Sequence, residues 1–237
     1  NNALHKSHTY TMSFHSMIAA TVKHPEKVAA FRWRHADAFV GKDDALCIST
    51  GFTVNSGVTL NLLENATNVN KVANSGTIAL HDGSTFTVYA KKANEAEAMG
   101  NISVAGSATI VDTNHCATMN FTTITGGTGA TLTLLSSHSS QTSEWNLGVA
   151  GKTQASPFTG KLVLMAEKDG SSNRAANFNF VDGTMFSGAE VQLKNGTETG
   201  VTLTNTLKLK AASVTIGGLS DAAAGMVTDT RKWSVEN

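Results

Sequence analysis

The histidines have the widest chemical range of any side chain in this sequence. Five of the eight fall in the first 50 residues: His5, His8, His15, His24 and His35. A zinc site needs three or four ligands at about 2 Å, commonly anchored by one closely spaced pair. His5 and His8 are the nearest such pair, but on a strand an odd spacing sends them to opposite faces. No Cys or carboxylate stands at ligand spacing beside them, so they read as surface and packing residues and no metal is expected. Asp43-Asp44 and the run Asp112-Thr113-Asn114-His115-Cys116 come next. A Cys beside a His has the elements of a nucleophile and its base. Adjacent strand residues point apart, however, and no third group orients this pair. The cysteines, Cys47 and Cys116, read first as two separate buried thiols. In an oxidising compartment they would be free to pair as a clamp, but two cysteines are not a disulfide framework.

Carboxylates are the stronger enzymatic candidates. Asp169, Asp182 and Glu190, with Lys168 and Arg174 nearby, form the densest charged stretch. Glycoside hydrolysis needs two carboxylates roughly 5–10 Å apart. Spacings of 13 and 8 residues do not match one full coil of a repeating fold, so these groups are not expected to converge. Gly126-Gly127-Thr128-Gly129-Ala130-Thr131 has the glycines of a calcium-binding nonapeptide but Thr where Asp is needed, and reads as a turn. Asp82-Gly83, Asp169-Gly170 and Asp182-Gly183 are turn dipeptides. The sequons at Asn65, Asn101, Asn120 and Asn195 are no more than an Asn- and Thr-rich composition produces by chance. Trp145, in Ser143-Glu144-Trp145-Asn146, lies in a loop-like stretch. It is the one ring suspected of stacking on a ligand, against the plainer reading of a loop tucked over the core. No catalytic, cofactor-binding or metal-binding residue is therefore expected, and the chain reads as a non-enzyme.

The elements that would position these groups are mostly strands. Of 237 residues only 15% are charged, and Lys+Arg equals Asp+Glu at 18 each. That balance excludes a basic nucleic-acid footprint, and no apolar run is long enough to cross a membrane as a helix. Thr is abundant and Pro nearly absent (Pro25 and Pro157), which favours pleated surfaces. One helix is expected at about 25–39, after Pro25, from the spacing of Val28, Phe31, His35 and Phe39. Lys91–Met99 (KKANEAEAM) resembles a second, short helix, or an Ala-rich loop. From Gly51 onward the chain is a series of short alternating runs punctuated by Gly, Asn, Asp and Ser. Asn55–Leu62 is echoed at Asn74–Leu80, 19 positions on. Gly106 is echoed at Gly129, 23 on, and Phe158 at Phe186, 28 on. A wandering period fits a β-solenoid, in which each coil completes its core only against its neighbours.

"GFTVNSGVTLNL" (Gly51–Leu62), "NSGTIALHDGSTFTV" (Asn74–Val88), "PFTGKLVL" (Pro157–Leu164) and "MFSGAEVQL" (Met185–Leu193) resemble autotransporter-associated β-strand repeats of bacterial surface proteins. The resemblance spans about residues 51–219. It implies a right-handed parallel β-helix, a secreted or cell-surface location at the bacterial outer membrane, and a role in adhesion or matrix formation. Two features depart from it: residues 1–50 match nothing in the repeat, and no C-terminal membrane barrel is present. The chain therefore reads as a passenger fragment or a secreted relative. The expected organisation is an N-terminal cap over 1–50, with its helix and aromatics Phe31, Trp33 and Phe39, then a solenoid over 51–237. Seven to eight coils of roughly 20–25 residues are expected, with Trp233 helping to close the far end. The expected function is an adhesive or structural scaffold segment that self-associates or binds host or matrix ligands, carbohydrate among them. The alternatives are a polysaccharide-cleaving enzyme on the same fold and a fibre-type attachment module.

Overall fold

The computed structural model describes residues 46–48, 51–63, 72–74, 76–90, 95–114, 117–137, 142–167, 174–196, 203–221 and 231–237. The proposed cap with its helix, and therefore Phe31, Trp33 and Phe39, lie outside the described residues. Every element among the described residues is a strand. In chain order these are β1 (Leu46–Ile48), β2 (Phe52–Val54), β3 (Thr59–Leu63), β4 (Val72–Asn74), β5 (Thr77–Leu80), β6 (Ser84–Ala90), β7 (Glu95–Val104) and β8 (Ser107–Asn114). They continue as β9 (Ala117–Thr125), β10 (Thr131–Ser137), β11 (Thr142–Leu147), β12 (Lys161–Ala166), β13 (Arg174–Phe180), β14 (Glu190–Asn195), β15 (Leu203–Leu209), β16 (Gly218–Asp221) and β17 (Arg231–Glu236).

From β7 to β16 each rung gives one strand to each of two sheets, whereas the two preceding rungs give the first sheet two short strands each, β1 with β2 and β4 with β5. The first sheet runs β1-β4-β7-β9-β11-β13-β15-β17, with β2 and β5 joined beside β7; the second runs β3-β6-β8-β10-β12-β14-β16. Every pairing is parallel. The fold is a β-solenoid, and the first paired strand among the described residues starts at Leu46, a few residues before Gly51. Alternation explains the strands: in β10 the Leu132, Leu134 and Ser136 side chains point inward and the Thr131, Thr133 and Leu135 side chains outward.

The stacking period differs from the sequence echoes. Thr85 lies beside Thr109 and Thr109 beside Thr133, two steps of 24. Bonded partners on neighbouring rungs are 22 apart at Asn101–Thr123 and 33 apart at Asn146–Asn179. The echo of 19 compares strands of different sheets, since β3 pairs with β6 while β5 pairs with β2 and β7. The echo of 23 is one residue short of the true register, and such a slip would exchange the inner and outer faces.

The segment over Lys91–Met99 is a strand wherever it is described. Glu95–Met99 belongs to β7 despite its helix-forming composition, because β4 and β9 flank it and supply its ladder. Glu97 and Met99 face inward before a register shift at Gly100, and Ile102 and Val104 face inward after it. Gly100 has φ of 66°, which suits glycine and marks the bulge that changes the phase. β9 makes the same change, with Met119 and Phe121 inward before it and Ile124 after it.

Inside the rod the rings form a column. Phe121 and Trp145 stack at 6.0 Å, Trp145 and Phe178 at 5.7 Å, and Phe178 and Trp233 at 5.7 Å. Trp145 is fully buried on β11, so it is a core residue rather than a loop ring. Trp233, on the last strand, extends the column at the C-terminal end. The second halves of β7 and β9 continue the short stack begun by β2 and β5, and no strand among the described residues pairs beyond it. There the side chain of Gln154 takes a strand's place. Its Oε1 accepts the Ile124 N–H at 3.1 Å and its Nε2 donates to the Ile124 carbonyl at 2.6 Å.

Two outcomes test this packing by chemical denaturation and amide exchange. Trp145→Ala removes the middle of the column and should cost about 3–5 kcal/mol, whereas Trp145→Phe, which keeps a ring there, should cost far less. Gln154→Leu leaves the Ile124 N–H and C=O unpaired, at about 1–3 kcal/mol each, and should accelerate exchange of the Ile124 amide more than that of Ile110.

Candidate binding faces

Only outward-facing residues can meet a ligand, and the two sheets present them differently. On the first sheet the outward polar groups bond to one another. The Asn146 amide donates to Asn120 Oδ1 at 2.9 Å, and the Asn179 amide donates to Asn146 Oδ1 at 2.8 Å and to Glu144 Oε2 at 2.8 Å. Asn177 donates to the other Glu144 oxygen, Thr123 to Asn101, and Thr206 meets Ser234. This face is a lateral zipper whose hydrogen-bonding capacity is largely used internally.

The second sheet is open. Thr59, Thr85, Thr109 and Thr133 form one row across β3, β6, β8 and β10, and the row continues as Val163, Gln192 and Ser220. A flanking row runs Thr87, Val111, Leu135, Met165 and Lys194. None of the four threonine hydroxyls has a hydrogen-bond partner among the described residues. No ionisable side chain faces outward from β6, β8 or β10 among the positions described.

Charge begins on the next strands. Lys161 on β12 and Glu190 on β14 are register neighbours, with Nζ and Oε1 3.4 Å apart, and Ser220 Oγ donates to Glu190 Oε1 at 2.7 Å. The Ser220 hydrogen bond, with Lys161 behind it, holds the Glu190 carboxyl below the usual carboxylate range. Both residues line a shallow groove of about 380 Å³ with Thr128, Thr159, Gly160 and Gly188.

The structure separates the carboxylates grouped by the sequence. Asp182 is buried and closes the turn after β13, where its Oδ1 accepts the Thr184 N–H at 2.7 Å and the Thr184 hydroxyl at 2.8 Å. Glu190 stands exposed on the other sheet. Asp169, Lys168, His5, His8, His15, His24, His35, Asp43, Asp44, His115 and Cys116 lie outside the described residues, as does Asn65. Arg174 opens β13, and Cys47 sits in β1 opposite Ala73. No cluster of three metal-ligating side chains occurs among the described residues.

The turn readings agree with the structure at two further places. Ala130 N–H donates to the Gly127 carbonyl at 2.9 Å, closing the glycine-rich turn. Asp82 Oδ1 accepts the Ser107 N–H at 2.7 Å, and a Cβ on Gly106 would lie 2.6 Å from the Asp82 side chain. Three of the sequon asparagines have structural partners: Asn101 and Asn120 lie in the zipper, and Asn195 is buried and accepts from Asn205 at 2.6 Å. A buried relay in which Ser136 donates to Ser143, and Ser143 to Asp112 Oδ2 at 2.7 Å, went unrecognised in the sequence. So did the threonine row, whose signal is Thr85-Phe86-Thr87 and Thr131-Leu132-Thr133 once the period is taken as 24.

Compared with known proteins, the chain matches no family model, no curated protein and no solved structure. The geometry of its own faces therefore carries the functional argument.

The Glu190 environment has a testable signature. Its folded pKa lies below the unfolded one, so its contribution is present above the unfolded pKa and is lost as pH falls through the folded pKa. In a carboxyl NMR titration Glu190 should titrate below a free glutamate, and Ser220→Ala should move it upward. An unchanged midpoint in Ser220→Ala would remove the serine from the account.

Proposed function

We propose that this chain is a structural, adhesive segment of a bacterial surface or extracellular scaffold, of the kind the autotransporter-associated repeats form. One observation supports this most: the first sheet uses its outward polar groups to brace the rod, while β3, β6, β8 and β10 of the second leave a row of threonine hydroxyls unpaired, with no charge at the outward positions described on β6, β8 and β10. A stiff rod holds many weak contacts in fixed positions, so ligand binding loses little further conformational entropy. The partners that suit such a surface are a matrix or host surface, neutral carbohydrate, or a further copy of the chain. No helix among the described residues is long and apolar enough to cross a membrane.

A polysaccharide-cleaving reading has weaker support. Its acid must hold a proton near neutral pH, whereas Glu190 is held in its ionised form and Asp182 is engaged in a turn. The test uses beads coated with the chain under shear, on surfaces of neutral polysaccharide or matrix protein. The expected result is retention above bare beads with no release of reducing ends. Catalytic release of reducing ends, lowered by Glu190→Gln, would replace the adhesive reading with the enzymatic one.

A further inference from the structure

Thr59, Thr85, Thr109 and Thr133 repeat at the strand spacing of about 4.8 Å, and positions two apart on one strand repeat at about 6.7 Å. Thr87 lies one such step from Thr85, and Thr131 one step from Thr133. The result is a grid of one full threonine row with Thr87 on one side of it and Thr131 on the other, each threonine node carrying one hydroxyl and one methyl. β-Branched side chains are stiff at χ1, so the grid is held by the sheet before any ligand arrives. Val111 and Leu135 fill the flanking row with further apolar groups.

Three features of this patch bear on its ligand. The hydroxyls have no internal partners among the described residues, unlike the zippered groups of the opposite sheet. The outward positions described on β6, β8 and β10 carry no charge, although 15% of the chain is charged and the Lys161–Glu190 pair begins on the adjoining strands. No ring is among the outward side chains described on β3, β6, β8 and β10, and Phe86, Phe121, Trp145 and Phe178 are all in the core. A periodic surface whose described outward side chains carry neither charge nor ring complements a neutral periodic lattice that excludes ions. Its repeat is close to that of the oxygen positions on the prism face of hexagonal ice.

We infer that the outward face of β3, β6, β8 and β10 binds ice. Hydroxyls at the nodes hold waters at lattice positions, and the methyl groups between them keep that layer ordered. The inference rests on the adhesive reading above and names the surface that is held.

The test freezes a dilute solution of fluorescently labelled chain onto a slowly growing ice hemisphere and follows crystal shape in an osmometer. Thr109→Lys and Thr133→Lys each place a charge on the grid, and the second serves if the first fails to fold. Thr204→Lys, an exposed change on β15 of the other sheet, is the control, with circular dichroism confirming the fold of each. The chain and Thr204→Lys should enter the ice and facet its crystals, while the grid variants should fall to the background of an inert labelled protein. Exclusion of the unmodified chain from ice, or equal incorporation of Thr109→Lys, would overturn the inference. Capture on insoluble cellulose or chitin, lost in Thr109→Lys and without ice incorporation, would overturn it in favour of a glycan face. In that case, or with bead retention alone, the adhesive reading survives. Loss of bead retention together with ice exclusion removes both.

Discussion

A single rung of this chain has no interior of its own. Much of the cover over its inward residues comes from the rungs above and below, and its strand ladders are made to those same neighbours. The parallel ladder is therefore also the packing rule: whatever stands at one level fixes what can stand at the next. The ring column shows this, because Trp145 has its register partner Phe178 on one side and, on the other, Phe121, two positions along from its register partner Met119. The outward rows follow from the same rule. A Thr outside at one level, with an alternating strand above, brings another outward position over it. The fold thus produces rows, and composition decides whether they zip together or stay open.

The two faces show how one backbone arrangement yields two kinds of surface. Asn and Glu have side chains long enough to reach across the gap between rungs and bond, as Asn120, Asn146 and Asn179 do. The threonines in the row on the second sheet make no such bond to each other. The neighbour on the next rung separates the bracing face from the available one, since on the first sheet Thr123 bonds to Asn101 and Thr206 to Ser234, and the distinction lies in residue type as much as in topology.

Much of the architecture was readable from the sequence because alternation is a local signal. The runs at Thr59, Thr77, Thr85, Thr131 and Lys161 are strands where alternation placed them. Register was less readable, because it depends on pairs more than 20 residues apart and on loops of unequal length. Hence the echoes at 19 and 23 missed the true step of 24, and with it the threonine row. Glu95–Met99 misled for a different reason, since its Ala and Glu favour a helix locally and the flanking strands override them. Trp145 looked like a loop residue because polar Ser143, Glu144 and Asn146 surround it. Those are the zipper and relay positions of a strand, and their role emerges only when neighbouring rungs are aligned.

The phase change at Gly100 has a consequence for how such a chain can change over generations. β7 and β9 shift their inward parity at the same level, so the irregularity passes from one rung to the next instead of being repaired. A one-residue insertion or deletion within a strand would break agreement with two neighbours at once, whereas one in a connecting loop would be absorbed. Lineages carrying this fold would then vary freely in loop length, as the steps of 22 to 33 residues already do. They would gain or lose length mainly in whole-rung units, with the bulge copied as a heritable part of the unit.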